Sequence, residues 1–108
     1  MSEEPTDPDA PVPTFVTYVP KPGMEAELLA LIRKHEPALR AADLVTSAPF
    51  TLWKAYDIRK ERTKYMEYFE WKDGGASDLA HHLPEVMAVW GPMRPVLEDM
   101  TICRIEQL

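Results

Sequence analysis

The sequence predicts an α+β fold of the ferredoxin-like type, in which the elements follow the order βαββαβ. Two observations support this prediction. Segments with strand-like alternation of apolar residues are interleaved with longer segments of helical spacing, and one predicted strand is apolar on both faces. We therefore expect a four-stranded antiparallel sheet with two helices on one face. A chain of 108 residues has room for one such domain.

The first half of the domain supplies one strand and one helix. A strand is predicted over residues 14–19, where aromatic and β-branched residues fall on both sides and prolines follow. A helix is expected from about residue 24 to residue 42, because apolar residues recur there at helical spacing. Pro37 lies inside that pattern, so the helix should kink or restart there.

The second half supplies three strands and one helix. Strands are predicted over residues 51–58 and 64–71, with a charged hairpin connection between them. A helix is expected over about residues 77–98, with a break near residues 82–84. Residues 100–106 form the predicted closing strand.

The strand over residues 64–71 carries large apolar groups on both sides. Tyr65, Phe69 and Trp71 point one way, whereas Met66 and Tyr68 point the other way. Each face of such a strand must be covered, and the two helices cover only one face of the sheet. The simplest second cover is another copy of the chain, so the sequence predicts a homodimer through the sheet face.

The N-terminal segment differs in composition from the rest. Residues 1–13 are acidic and proline-rich, so they are predicted to be a disordered tail, and residues 14–108 are predicted to be the folded domain. The net charge of −6 and the pI near 5.0 argue against nucleic acid or anionic membrane as a partner.

Cysteine usage and hydropathy indicate the expected location. Cys103 is the only cysteine, so no intrachain disulfide can form and a reducing compartment is expected. No apolar run approaches the roughly 20 residues that span a bilayer, and no secretory signal is present. We therefore expect a cytoplasmic protein.

Three segments resemble a known group of proteins: PKPGMEAELLALIRKHEPALRAADLVT, YMEYFEW and AHHLPEVMAVW. They are similar to the antibiotic biosynthesis monooxygenase-like group of the dimeric α+β barrel superfamily, and the resemblance covers residues 14–106. It implies a dimeric α+β barrel. Members of that superfamily include cofactor-independent oxygenases that act on polyketide-like or quinol substrates, haem-degrading enzymes, and small proteins with no assigned activity.

The resemblance also implies residue patterns that can be compared with this chain. Haem-degrading members use an asparagine on the first strand and a haem-ligating histidine in the second helix. This chain has no asparagine, and Trp90 stands about where that histidine is expected, so haem degradation is not expected. The polyketide oxygenases tend to use asparagine, tryptophan and tyrosine in their pocket, and this chain has the last two types only.

Two histidines and a glutamate are the candidate catalytic residues. His35 lies on the apolar stripe of the first helix and His82 can lie on that of the second. The two imidazoles could therefore meet above the third strand. Glu67 and Glu70 lie on opposite faces of that strand, and Glu70 joins the histidines if its face is the helix-covered one. His35, His82 and Glu70 could then bind a metal ion or relay a proton. Alternatively, each histidine is structural and bonded to a backbone carbonyl.

Aromatic residues and a methionine are the candidate substrate-binding residues: Trp53, Trp71, Trp90, Tyr68 and Met87. They could line a pocket for a flat aromatic or apolar molecule between helices and sheet, or they could be ordinary core residues. No HExxH motif and no glycine-rich nucleotide motif occurs, so neither a metal ion nor an organic cofactor is expected.

Two functional hypotheses follow. In the first, a small homodimer binds a small aromatic or apolar molecule and acts as a cofactor-independent monooxygenase or isomerase. In the second, the protein is a non-enzymatic ligand-binding or assembly module whose histidines are structural. The two differ in whether His35, His82 and Glu70 converge on one site.

Overall fold

Four strands form one antiparallel sheet in the computed structural model, which describes residues 8–108. They are β1 (Val12–Pro20), β2 (Thr51–Asp57), β3 (Arg62–Trp71) and β4 (Leu97–Arg104). Their order across the sheet is β2-β3-β1-β4, so the two central strands are not consecutive in the chain. This is the split arrangement of the ferredoxin-like fold, and it confirms the predicted topology.

The helical segments are shorter and more numerous than the two predicted helices. They are α1 (Glu25–Ile32), α2 (His35–Ala41), α3 (Ala76–Ala80) and α4 (Pro84–Met93), followed by a 3₁₀ turn (Arg94–Val96). The first break falls at residues 33–34 and not at Pro37, which lies in the first turn of α2. A proline is tolerated there because its missing N–H would have no partner inside the helix.

The second break lies where the sequence predicts it. Leu83 has an extended backbone, with φ −102° and ψ 119°, and Pro84 begins the next helix. A residue before proline avoids helical dihedrals, so this leucine separates α3 from α4.

The N-terminal boundary of the sheet differs from the predicted one. β1 begins at Val12, which pairs with Trp71, and the backbone N–H of Gly74 donates to the carbonyl of Pro8 at 2.9 Å. The strand therefore begins two residues before residue 14, inside the predicted tail. Residues 1–7 of that predicted tail lie outside the described residues.

Burial alternates along β3 and identifies the covered face. Tyr65, Glu67, Phe69 and Trp71 are buried, whereas the residues between them are partly exposed. The same face of β1 presents buried residues, and the four helices pack over it. The opposite face of the sheet carries no helix in the described part of the chain. Within residues 8–108 no helix combines the length and apolarity needed to cross a bilayer.

Candidate active site

A histidine and a glutamate meet in the core, on the helix-covered face of the sheet. His35 is the first residue of α2, and its Nδ1 lies 2.9 Å from Oε1 and 3.1 Å from Oε2 of Glu67. Both side chains are 3% exposed. Glu67 is in the middle of β3, so a helix end and a central strand fix the two partners independently.

Tyr18 gives the same carboxylate a second donor. Its hydroxyl donates to Oε1 of Glu67 at 2.6 Å, from the neighbouring strand β1. Burial, and after it the charge and the hydrogen bond of Glu67, raise the pKa of Tyr18 far above its ordinary value. The phenol therefore stays protonated and remains a donor at any ordinary pH.

The hydrogen bonds determine which nitrogen of His35 carries the proton. An ionised carboxylate only accepts hydrogen bonds, so with Glu67 in that form Nδ1 of His35 is the nitrogen that donates to it. In the neutral imidazole the lone pair is then on Nε2. This nitrogen is buried and has no hydrogen-bond partner among the described residues. A buried polar atom without a partner calls for an explanation, and one explanation is a molecule that binds beside it.

Three aromatic rings fix the orientation of the imidazole. The ring centroid of His35 lies 5.3 Å from Phe69, 5.9 Å from Trp90 and 6.2 Å from Phe50. Phe50 also stacks on Phe69 at 5.1 Å. The imidazole is therefore enclosed on several sides by apolar rings, which limits its rotation and its contact with water.

Arg40 forms hydrogen bonds to the loop that contains Phe50. Its Nε donates to Glu36, and its two terminal nitrogens donate to the carbonyls of Thr46 and Ala48 at 3.1 and 3.0 Å. Its guanidinium also lies over the Phe50 ring, 5.3 Å from the centroid. Arg40, together with the stacking on Phe69, thus holds this ring beside His35.

A cavity of about 210 Å³ lies between the sheet and the helices, and His35 is part of its wall. The other polar lining residues are Tyr18, Ser77, His81 and Arg94. The rest of the lining is largely apolar and comes from both central strands, α4 and β4: Val16, Phe69, Trp71, Met87, Trp90, Met93, Leu97, Met100 and Ile102. A mostly apolar pocket with a few polar groups is typical of a small-molecule site.

The structure does not bring the three predicted catalytic residues together. His35 is in the core, but Glu70 lies on the open face of the sheet, where it accepts a hydrogen bond from the hydroxyl of Thr46 at 2.7 Å. His82 is exposed in the turn after α3 and is not part of the cavity wall. The carboxylate that His35 meets is Glu67, which shares the strand face of Tyr65, Phe69 and Trp71 because side chains alternate along a strand.

The predicted substrate-binding residues fall into two groups. Trp71, Trp90 and Met87 line the cavity. Trp53 and Tyr68 lie on the open face of the sheet, where Trp53 pairs with Met66 and its ring packs against Phe15 at 6.0 Å. The two open-face residues therefore cannot contact a molecule in the cavity of their own subunit.

Two candidate residues of the site were not predicted from the sequence. Tyr18 shares the face of Val16 on β1, and the alternation of that strand could have indicated its direction. His81 lines the cavity in place of His82, with its ring 4.9 Å from Trp90 and its Nδ1 2.9 Å from the carbonyl of Ser77. No feature of the sequence indicates which of the two adjacent histidines, His81 or His82, lines the cavity.

The donor set does not fit a metal ion. Within residues 8–108 no cluster of three or more histidine, cysteine or acidic side chains is close enough to hold one. The Nδ1 atom and carboxylate of the His35–Glu67 pair are already bonded to each other. The arrangement is instead that of an imidazole oriented by a carboxylate, which is suited to accepting a proton at Nε2.

Comparison with known proteins gives matches among solved structures. No protein-family model and no curated protein sequence matches the chain. An antibiotic biosynthesis monooxygenase is 16% identical, with a TM-score of 0.67 over 90% of this chain and 98% of that chain. SnoaB, a cofactor-independent oxygenase from Streptomyces nogalater, is 15% identical, with a TM-score of 0.66 over 91% and 95% of the two chains.

The chain has the antibiotic biosynthesis monooxygenase-like fold. The resemblance seen in the sequence is thereby confirmed at the level of the fold. A hydroxynitrile lyase from Passiflora edulis has a similar fold, with 10% identity and a TM-score of 0.70 over 94% of this chain and 98% of the lyase. One fold thus occurs in proteins named for different reactions, so the reaction must be argued from the site itself.

Proposed function

We propose that the protein is a small enzyme without an organic cofactor, in which His35 removes a proton from a small aromatic or apolar substrate. The observation that carries this proposal is the buried, unpartnered Nε2 of His35, a residue of the cavity wall whose Nδ1 donates to Glu67. A purely structural histidine in a core is expected to satisfy both ring nitrogens.

The proposed step is a general-base reaction. The Nε2 lone pair takes the proton, the electron pair of the broken bond stays on the substrate, and the imidazole becomes an imidazolium between two anions. Glu67 stabilises that positive charge through Nδ1–H, and Tyr18 keeps the carboxylate hydrogen-bonded while it does so. Such a positioned base contributes roughly 10²- to 10⁴-fold to a rate.

The fate of the substrate anion decides the overall reaction. In an isomerisation, the imidazolium returns the proton to a different atom of the same molecule. In an oxygenation, O₂ is the co-reactant: the anion adds O₂, which takes up the electron pair as a carbon-bound peroxide, and the imidazolium supplies its proton. The similarity to a cofactor-independent oxygenase supports the second reaction. Loss of a proton can also begin a lyase reaction on a hydroxynitrile.

We further propose that the protein is a homodimer through the open sheet face. Phe15, Trp53, Met66 and Tyr68 lie on that face, and Trp53 is 46% exposed in the single chain. Large aromatic groups exposed together are typical of protein contacts. A two-fold contact would cover this face of both copies with the same residues.

The test of the catalytic proposal uses a probe reaction that needs only a base in an apolar cavity. The probe is 5-nitrobenzisoxazole, a flat bicyclic carbon acid. Removal of its C3 proton sends the C–H electron pair into the C–N bond to form a nitrile, while the N–O bond breaks and its electron pair stays on oxygen, so that the product is a coloured cyanophenolate. We expect turnover by the protein and a loss of about 10²-fold or more in kcat/KM for His35→Gln.

The control is His82→Gln, because that histidine is exposed and outside the cavity. It should have the activity of the unchanged protein. Equal rates for the protein and His35→Gln would overturn the catalytic proposal. That result would favour the alternative, a non-enzymatic binding module in which the histidine is structural.

A further inference from the structure

We propose that the molecule bound in the cavity is an aromatic anion, whose charged group pairs with Arg94 while its proton-bearing atom lies at His35. This inference rests on the proposed function and names its substrate class. It is carried by the charges around the cavity, by the state of Arg94 and by the size of the space.

The cavity wall differs in charge from the rest of the molecule. The chain has a formal net charge of −6, yet none of the cavity-lining residues is an aspartate or a glutamate. Glu67 is close to the site, but it does not line the cavity and its carboxylate already accepts from His35 and Tyr18. A negatively charged ligand would therefore meet no carboxylate inside the cavity.

Arg94 is the permanently charged group of the lining. It begins the 3₁₀ turn after α4, and its side chain has no hydrogen bond or ion pair to another described residue. By contrast, Arg62 is paired with Glu98 and Arg40 with Glu36. A guanidinium keeps its charge at all ordinary pH values and presents a fork that matches a carboxylate. Arg94 is thus available to a ligand.

Arg94 and His35 both line the cavity and differ in their exposure to solvent. Arg94 is exposed to solvent, whereas His35 is 3% exposed. The charged end of a ligand would therefore stay near solvent, and its apolar body would enter among Trp71, Trp90 and Met93. In the proposed complex the opposite end of the molecule lies at His35, the buried polar residue of the lining.

The volume limits the size of the apolar body. A cavity of about 150 Å³ holds one benzene molecule, whereas drug-sized ligands occupy roughly 300–1,000 Å³. The space here is about 210 Å³. The ligand class is therefore an aromatic of one or two rings that bears a carboxylate or an ionised phenol.

The test is isothermal titration calorimetry with two probes of equal shape, 1-naphthoate and 1-naphthamide. We expect the protein to bind the anion more tightly than the amide by about fivefold or more at low salt, since a hydrogen-bonded charge pair exceeds a neutral one. Arg94→Gln should remove this preference and leave the affinity for the amide unchanged. Arg59→Gln, which removes the same charge from the β2–β3 hairpin, should keep the preference.

Three outcomes would overturn the inference: equal affinities in the unchanged protein, a preference that survives in Arg94→Gln, and no binding of either probe at millimolar concentration. Each outcome is independent of the benzisoxazole assay. Turnover that depends on His35 would leave the catalytic proposal standing while the ligand class failed. Conversely, if binding depends on Arg94 but no turnover is seen, the protein binds aromatic anions and the catalytic proposal fails.

Discussion

Nδ1 of His35 lies 2.9 Å from Oε1 of Glu67, at the junction of the first residue of α2 with the middle of β3. Because the carboxylate can only accept, this contact places the proton on Nδ1 and the lone pair on Nε2, the nitrogen without a partner among the described residues. The protonation pattern of the site therefore follows from a single hydrogen bond. This makes the role of Glu67 testable separately from its contribution to packing.

Glu67→Gln should reverse the tautomer of His35. The glutamine oxygen can still accept from Tyr18, but its amide then donates to Nδ1, so the proton of the imidazole moves to Nε2. Nε2 of His35 then carries the proton and can no longer act as the base, although the histidine itself is unchanged. ¹⁵N NMR of the imidazole should report the exchange of the two nitrogens, and benzisoxazole turnover should fall by about 10²-fold or more.

The matched control is Glu70→Gln, three residues along β3 on the open face. It should leave both the tautomer and the turnover unchanged. An unaltered imidazole spectrum in Glu67→Gln would show that another group sets the tautomer. That result would contradict the assignment of Glu67 as the positioning residue.

Alkaline pH should destabilise the protein through Tyr18. Burial, followed by the charge and hydrogen bond of Glu67, raises the pKa of this phenol far above its ordinary value of 10.0. The stability that this shift provides is fully present below pH 10 and is lost as the pH rises above it, because the unfolded chain then releases a proton that the folded chain keeps. The loss amounts to about 1.4 kcal/mol per pH unit.

The measurement is urea unfolding from pH 8 to pH 11.5 for the protein and for Tyr18→Phe. The difference in free energy of unfolding between the two proteins should be constant up to about pH 10. Above that pH the protein should lose stability relative to Tyr18→Phe by about 1.4 kcal/mol per pH unit. Tyr65 also has a raised pKa, first through burial, but it is present in both proteins and cancels. The exposed Tyr56, changed to phenylalanine, serves as the control and should parallel the unchanged protein.

Arg40→Met should lower the free energy of unfolding by about 1–2 kcal/mol. The substitution keeps the aliphatic stem but removes two hydrogen bonds to loop carbonyls and the contact with Glu36. The loop carries Phe50, so the imidazole of His35 should gain freedom as well. Denaturant unfolding measures the first effect, and broadening of the His35 NMR signals measures the second.

Arg40→Lys separates the charge of that arginine from its shape. A lysine retains the positive charge but cannot reach both carbonyls and the carboxylate at once, so most of the loss should persist. Recovery of full stability by lysine would mean that the charge, and not the forked geometry, holds the loop.

Trp53→Lys should convert the proposed dimer into a monomer. A charge placed beside Phe15 on the open face would be buried without a partner in a two-fold contact. Sedimentation velocity should show the mass fall to that of one chain, 12.4 kDa. Leu79→Lys changes a similarly exposed apolar residue, 48% exposed on α3, and should leave the mass unaltered. A monomer before any substitution would contradict the dimer directly.

The alternation of apolar residues along β3 indicates which of its two glutamates is buried, and the prediction of site residues did not make use of it. Tyr65, Phe69 and Trp71 have the same parity as Glu67, so the larger apolar face already indicates which glutamate is buried. The condition under which Glu70 was chosen, that its strand face is the helix-covered one, is therefore not met, and the reason is visible in the sequence. The sequence of strands and helices and the break at Leu83 were predictable because hydrophobic period and proline position indicate them.

Other features depend on the tertiary structure. The break between α1 and α2 falls at Arg33 and Lys34, two good helix formers, so no local preference predicts it. The direction of Trp53 is set by its pairing with Met66, and that register is a property of two strands together. Whether His81 or His82 reaches the cavity depends on the angle of the chain before Leu83, which spacing alone does not specify.

Tyr18, Glu67 and His35 occupy the core of the protein, where apolar side chains would be more stabilising. The same three residues supply the proposed base, so stability and catalysis favour different residues at these positions. A carboxylate without contact to water is expensive to bury, and removing one of its partners leaves it poorly compensated. The triple substitution Tyr18→Phe, Glu67→Met and His35→Leu would leave an apolar interior of similar volume. Such a protein should melt at the temperature of the original or above it, and it should have no base. The difference in melting temperature between this variant and the unchanged protein would then measure how much stability the protein loses by keeping a base in its core.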